Sequence, residues 1–217
     1  MARTRLTRDA VIDAYVELIG REGEHVTLAR LGEHLGVDTT AMYRHVRDKD
    51  ELMRAAGDRI LSSVTVDLVA DPDAHAGDWR TAIVELCTRL RAVHLTHPVL
   101  AALARSSPPL NRNEFDLTER LLAALAVAGL ERPRAALAYH ALIELTVGSA
   151  ALDATVSALD GSQRSREYRR WQDAYRALDP AEHPRAVAHA DQLYAGTADE
   201  RFRYALDRLL DGISAEH

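Results

Sequence analysis

Five side chains able to hydrogen-bond an anion or a base edge crowd into one short stretch: Thr39, Thr40, Tyr43, Arg44 and His45. Hydroxyls, an imidazole and a guanidinium at this density suit non-covalent recognition, since each presents donors or acceptors at a fixed reach. Thr27 precedes them, and Lys49, the only lysine in the chain, follows four residues later. Two other spacings carry different chemistry. His94-Leu-Thr-His97 puts two imidazoles on one helix face, as a metal site would. A structural metal needs further ligands, and the single cysteine, Cys87, reads as a buried apolar thiol, so no metal or other cofactor is expected. His140 and Glu144 stand four apart, the spacing of a base and its orienter. With no nucleophile motif, no Gly-rich phosphate loop and no cofactor fingerprint beside them, catalysis is not expected.

The recognition cluster needs a rigid carrier. Leu28, Leu31 and Leu35 mark one face of a short helix, with Thr27 as its N-cap. Gly36 stops it where a left-handed cap is wanted. Asp38 can cap a second helix, which Val37 and Met42 would hold against the first. Two short helices joined by a tight Gly turn make a helix-turn-helix, whose second helix can enter the major groove of DNA. Asp48-Lys-Asp-Glu51 then fits a reciprocal capping box, so a third helix starts at once, with its amide-rich end beside the cluster.

The run Leu35-Gly-Val-Asp-Thr-Thr-Ala-Met-Tyr-Arg-His-Val-Arg-Asp-Lys-Asp-Glu-Leu52 resembles the signature of the tetracycline-repressor (TetR) family. The likeness is to members that read Gly-Val, Leu/Met-Tyr-x-His-Val and Lys-x-x-Leu in this register. It covers roughly the first quarter of the chain by motif, and the remainder by helical content and length. It implies that Thr27, Thr39, Thr40, Tyr43, Arg44, His45 and Lys49 face double-stranded operator DNA. Tyr43 and His45 would rest on phosphates, Arg44 would read guanine by a bidentate contact, and Thr39 would touch a thymine methyl. Lys49 would bind a phosphate at the start of its helix, and Thr27 would add a phosphate contact to its cap. Thr40 stands where many members carry glycine.

The same likeness implies a second domain enclosing a pocket for an unknown small-molecule effector. Candidates to line it are the polar and aromatic residues set among apolar helical positions: His94, His97, Phe115, Tyr139, His140, Glu144, Trp171 and Tyr175. It also implies a homodimer in which the helices at about 134–159 and 198–214 pair with their copies. Gly148, Ala150, Ala151 and Ala154 would permit close approach there. Two readings stand beside this one. The N-terminal helices could be scaffold for a small-molecule-binding or enzymatic protein, or the chain could bind DNA as an activator or without an effector.

Bulk properties agree with a helical regulator. The chain has 217 residues, 47% hydrophobic and 28% charged, with aromatics at 5%, a balance that favours helices over sheets. The net charge of −6 is unusual for a DNA-binding protein, and residues 1–55 hold nine Lys and Arg against ten Asp and Glu. Placement must therefore supply the positive face, from Arg3, Arg5, Arg8, Arg44, Arg47 and Lys49. No apolar run approaches the about 20 residues of a bilayer span, and the Arg-rich N-terminus lacks the apolar core of a signal peptide, so a cytoplasmic protein without membrane contact is expected.

The expected fold is all-α with nine or ten helices. An N-terminal three-helix helix-turn-helix domain, 1–50, is joined by a connecting helix at about 48–67 to a larger helical effector-binding and dimerisation domain, 78–217. Asp71-Pro-Asp-Ala-His-Ala-Gly77 marks the boundary. A short helix over 99–104, a break at 106–109, a helix starting at Asn111 or Asn113, a break at Gly161-Ser162, an aromatic helix over 164–178, and a shorter one reaching about Tyr194 complete the reading.

Overall fold

The computed structural model describes residues 6–23, 25–69, 78–98, 100 and 112–215, the side chains of 66–69 excepted. Arg3 and Arg5, the 71–77 boundary, the 99–104 helix apart from Leu100, the 106–109 break and Asn111 lie outside the described residues. Within them the chain is all-α, with ten helices and no strand: α1 Arg8–Glu22, α2 Leu28–Leu35, α3 Thr39–Met42, α4 Lys49–Val69 and α5 Trp79–Thr96. Then come α6 Arg112–Val127, α7 Arg132–Ser157, α8 Gly161–Arg176, α9 Pro184–Ala188 and α10 Ala198–Ser214.

One apolar core runs through the molecule, from Val11 and Leu18 on α1 through Leu52 and Ala56 on α4 to Leu86, Leu121, Leu142 and Leu206. The 21-residue helix α4 is the link, packing on α1 at one end and on α6 further along. Asn113 ties that second contact down. Its backbone N–H donates to Asp58 Oδ1 at 2.9 Å, and its side-chain carbonyl accepts from Thr65 at 2.9 Å. Asn113 therefore lies inside α6 as a bridge to α4 and does not begin the helix. Helix α5 packs along α7, and α10 closes over α7 from another side.

Helix α7 is long and apolar enough, by length and composition alone, to cross a membrane, which exceeds the apolar content read from the sequence. Leu142, Thr146 and Ala150 turn into the core, but only 28% of its most apolar window is buried within the protomer. Leu137 and Leu152 stand 62% and 83% exposed. Two boundaries differ from expectation. Asp160 caps α8 in a full box with Gln163, so Gly161 and Ser162 open a helix where a break was expected. Helix α9 is five residues long, and the chain reaches Tyr194 in turns, not as a continued helix. Cys87 is buried, and burial pushes its thiol up to about 11, which leaves it unreactive.

Candidate nucleic-acid interface

The helix-turn-helix is built from short-range contacts that its residue types dictate. The Thr27 hydroxyl accepts from Arg30 N at 3.1 Å, which opens α2. Gly36 closes it at φ 65°, ψ 32°, a left-handed conformation where a side chain would be strained. Val37 N then donates to Gly32 O at 3.0 Å. Gly32 went unnoticed in the sequence, yet it sets how closely α3 approaches α2. A Cβ there would lie 3.0 Å from Val37 O, 3.5 Å from Met42 Cε and 3.6 Å from Thr39 Oγ1. The available signal was an isolated glycine inside a helical pattern.

Helix α3 is one turn long. Asp38 caps it, with one carboxylate oxygen accepting from Thr40 N at 2.8 Å and Thr40 Oγ1 at 2.6 Å. Those bonds hold the Asp38 carboxyl below the usual carboxylate range. They also direct the Thr40 hydroxyl proton to Asp38. Tyr43, Arg44 and His45, expected on this helix, lie just beyond it, in a tight turn where His45 N and Val46 N both donate to Met42 O, at 2.8 and 3.0 Å. Met42 and Val46, 1% and 2% exposed, pin the turn from inside. Tyr43 is 53% exposed, Arg44 is exposed, and Thr39 and His45 are half-buried.

Helix α4 starts as the box pattern required, with one change of partner. Glu51 N donates to Asp48 Oδ1 at 2.7 Å. The Glu51 carboxylate does not return to Asp48; it accepts from Arg47 N at 2.8 Å and Arg47 Nε at 3.1 Å. Its other oxygen accepts from Arg8 Nη2 at 3.2 Å. These donors hold the Glu51 carboxyl down to about 2. Charge is sorted across the surface. Arg8, Arg21, Arg30 and Arg47 each lie against a carboxylate. Among the described residues Arg44 and Lys49 make no ion pair, and they sit at the exposed turn and at the first residue of α4.

The eight effector candidates lie on α5 and its C-cap, α6, α7 and α8. His94 is buried on α5, with Nδ1 2.9 Å from Leu90 O, and His97 caps the same helix through its backbone N–H. Burial lowers the pKa of both imidazoles. Tyr139 meets Thr118 across α6 and α7, oxygen to oxygen at 3.0 Å, and its ring lies 5.3 Å from that of His140. Phe115 is 53% exposed, and His140 and Glu144 are exposed on α7. Trp171 and Tyr175 gather elsewhere, on α8, with ring centroids 4.7 and 6.3 Å from that of Tyr194. A groove of about 290 Å³ lies between α7 and α10, floored by Leu137, Ala138 and Ile213 and flanked by Arg134 and Arg208. Gly148 and Ala151 are exposed on α7, whereas Ala150 is 1% exposed and faces the protomer's own core.

Residues 11–56 match the family described as bacterial regulatory proteins, tetR family, and residues 71–217 match the tetracyclin repressor-like C-terminal domain. An HTH-type transcriptional repressor of Mycobacterium tuberculosis is 33% identical over 198 residues, which are 87% of this chain and 72% of that protein. A TetR transcriptional regulator from Streptomyces coelicolor superposes with a TM-score of 0.84 at 28% identity, covering 98% of this chain and all of that one. The S. coelicolor TetR family protein ActR, solved in complex with actinorhodin, gives 0.84 at 25% identity over 98% and 99% of the two chains. With both halves matched, this chain belongs to the TetR family of DNA-binding transcriptional regulators.

Proposed function

We propose that the chain is a dimeric, non-enzymatic, cytoplasmic repressor that leaves its operator when a small molecule binds. The observation that carries the DNA contact is the charge sorting: Arg44 and Lys49 are free on a surface where the neighbouring arginines lie against carboxylates. Arg44, on an exposed turn, reads guanine; Lys49, at the amide-rich start of α4, binds phosphate by charge and helix dipole. Tyr43 and His45 position the turn on the backbone, Thr39 lies beside them, and Thr27 contributes mainly its cap. Residues 1–50 form the reading head, α4 connects it, and 78–217 hold the effector and the partner.

The relatives support the regulatory part of this reading: one is a repressor, and ActR is solved with a bound small molecule. We assign the effector region to the junction of α5, α6 and α7, where His94, His97 and Tyr139 lie. His140 and Glu144 share an exposed α7 face with Leu137, Gly148 and Ala151, and belong to the proposed dimer surface. That surface, with the Leu137 groove and the outer side of α10, offers the apolar area that a two-fold four-helix contact would cover. Two reading heads would then meet half-sites about one helical turn apart.

Fluorescence anisotropy against the DNA upstream of the protein's own gene tests the assignment. Arg44→Ala should cost about 1–3 kcal/mol and relax base preference, and Lys49→Ala should weaken all sequences alike. Equal losses on every sequence for both variants would overturn the division of roles.

A further inference from the structure

One carboxylate beside the proposed DNA contacts is surrounded by donors. Glu51 lies in the first turn of α4, two residues from Lys49, and its side chain is 20% exposed. One of its oxygens accepts from Arg8 Nη2, and the other accepts from Arg47 N and Arg47 Nε. Arg8 comes from the start of α1, so Glu51 joins α1, the exposed turn and α4 at one point. Both arginine side chains are open to solvent, at 51% and 80%, and so could otherwise reach a phosphate. Their positive charge is instead offset within hydrogen-bond distance by an anion of the chain itself.

We infer that Glu51 determines specificity by withholding Arg8 and Arg47 from the DNA backbone, keeping sequence-independent affinity low so that recognition depends on Arg44 and Lys49. This rests on the operator-binding reading given above. The physical basis is that each phosphate neutralised by a cation releases condensed counterions. Log affinity then falls with log salt by about 0.9 for each phosphate on duplex DNA. A cation already paired with a carboxylate releases few counterions. Base readout by Arg44 is unaffected, so holding back Arg8 and Arg47 lowers the affinity for any sequence and raises the ratio of specific to non-specific binding. The same carboxylate fixes the turn through the Arg47 N–H, which explains why a negative residue is tolerated at a phosphate-facing surface.

Glu51→Gln tests this in the full-length chain. The Gln oxygen can still accept from Arg47 N, and Asp48 still caps the helix, but the charge is gone. Anisotropy is measured on a random-sequence duplex and on the upstream DNA across a salt series. On the random duplex the salt slope should steepen by about 1 to 2, so that affinity drops about 4- to 16-fold more than in the wild type over a fourfold rise in salt. The preference for upstream DNA should narrow. Arg8→Ala and Arg47→Ala should change little in the wild-type background and should each remove part of the gain in the Glu51→Gln background. An unchanged or shallower slope in Glu51→Gln would overturn the inference, as would equal losses from the arginine variants in both backgrounds. Wild-type protein with no preference for upstream DNA would instead overturn the operator reading, because the random-duplex slopes are compared independently of it.

Discussion

Replacing Arg91 by Met should destabilise the fold by about 3 kcal/mol, and the reason lies in how unequally its two partners are solvated. Arg91, on α5, is 4% exposed. Its guanidinium donates to Asp153 Oδ2 on α7 at 2.6 Å and to Asp199 on α10, and it lies 5.0 Å over the Phe202 ring. Three helices are thereby fixed to one another by a single side chain. Asp153 is only 20% exposed, so losing Arg91 leaves a poorly hydrated carboxylate whose remaining cation, Arg201, is 3.9 Å away. Asp199 is 82% exposed and can be rehydrated. Removing one partner of a buried pair costs about 3–5 kcal/mol, and the residual hydration of Asp153 places this case at the lower end. At about 2–4 °C per kcal/mol for a chain of this size, Arg91→Met should lower Tm by about 6–12 °C. Asp199→Asn should cost less than about 1 kcal/mol, since its pair is largely solvated. In the Arg91→Met background, Asp153→Asn should recover part of the loss, because the stranded charge is then absent. Thermal unfolding followed by circular dichroism, at one fixed protomer concentration, measures all three. A neutral Arg91→Met, or Asp199→Asn as damaging as Arg91→Met, would refute this reasoning.

Other perturbations probe other levels of the structure. Gly32→Ala should destabilise the reading head by about 1–3 kcal/mol, because its Cβ meets the Val37 carbonyl at 3.0 Å, and it should weaken operator binding by displacing α3. Chemical denaturation together with a DNA titration checks this, and wild-type values for both would contradict it. Leu137→Glu, on the exposed α7 face, should yield monomers in sedimentation and lose operator affinity; an intact dimer would remove that face from the proposed interface. Stability should also fall as pH drops below about 6.5. Burial lowers the pKa of His94 and His97, so the folded chain binds fewer protons than the unfolded chain in that window. His94→Gln should flatten this limb. The Glu51 contribution is present at higher pH and is lost only as pH falls from the ordinary carboxylate range towards about 2, so Glu51→Gln should lower stability above that range and flatten the acid limb, leaving the histidine limb in place.

Several features that depend on neighbours within one helical turn were legible in the sequence. The caps at Thr27 and Asp38 and the left-handed Gly36 all form as their residue types and spacing required. What was not legible depends on distant partners or on which side of a helix faces out. Arg8 reaches Glu51 across 43 residues, Arg91 meets Asp199 across 108, and Asn113 bridges to Asp58 across 55. Helical periodicity separates an apolar face from a polar one, but it cannot separate a face covered by the protomer from one left open. Ala150 and Ala151 are adjacent small residues, and only the packing of α5 and α10 on α7 shows that the first is internal. Among the effector candidates, polar and aromatic side chains on apolar helices were equivalent in one dimension. The fold places them on α5 and its C-cap, α6, α7 and α8. Gly161-Ser162 suggests a break because Gly and Ser disfavour helix interiors; at a helix start, the Asp160 and Gln163 capping box outweighs them.

The most direct test of the account is a footprint of the purified chain on the DNA upstream of its own gene. Two inverted half-sites about one helical turn apart should be protected, with the protection persisting when competitor DNA is added and lost in Arg44→Ala. Uniform, salt-sensitive coverage with no protected site, unchanged by Arg44→Ala, would contradict it.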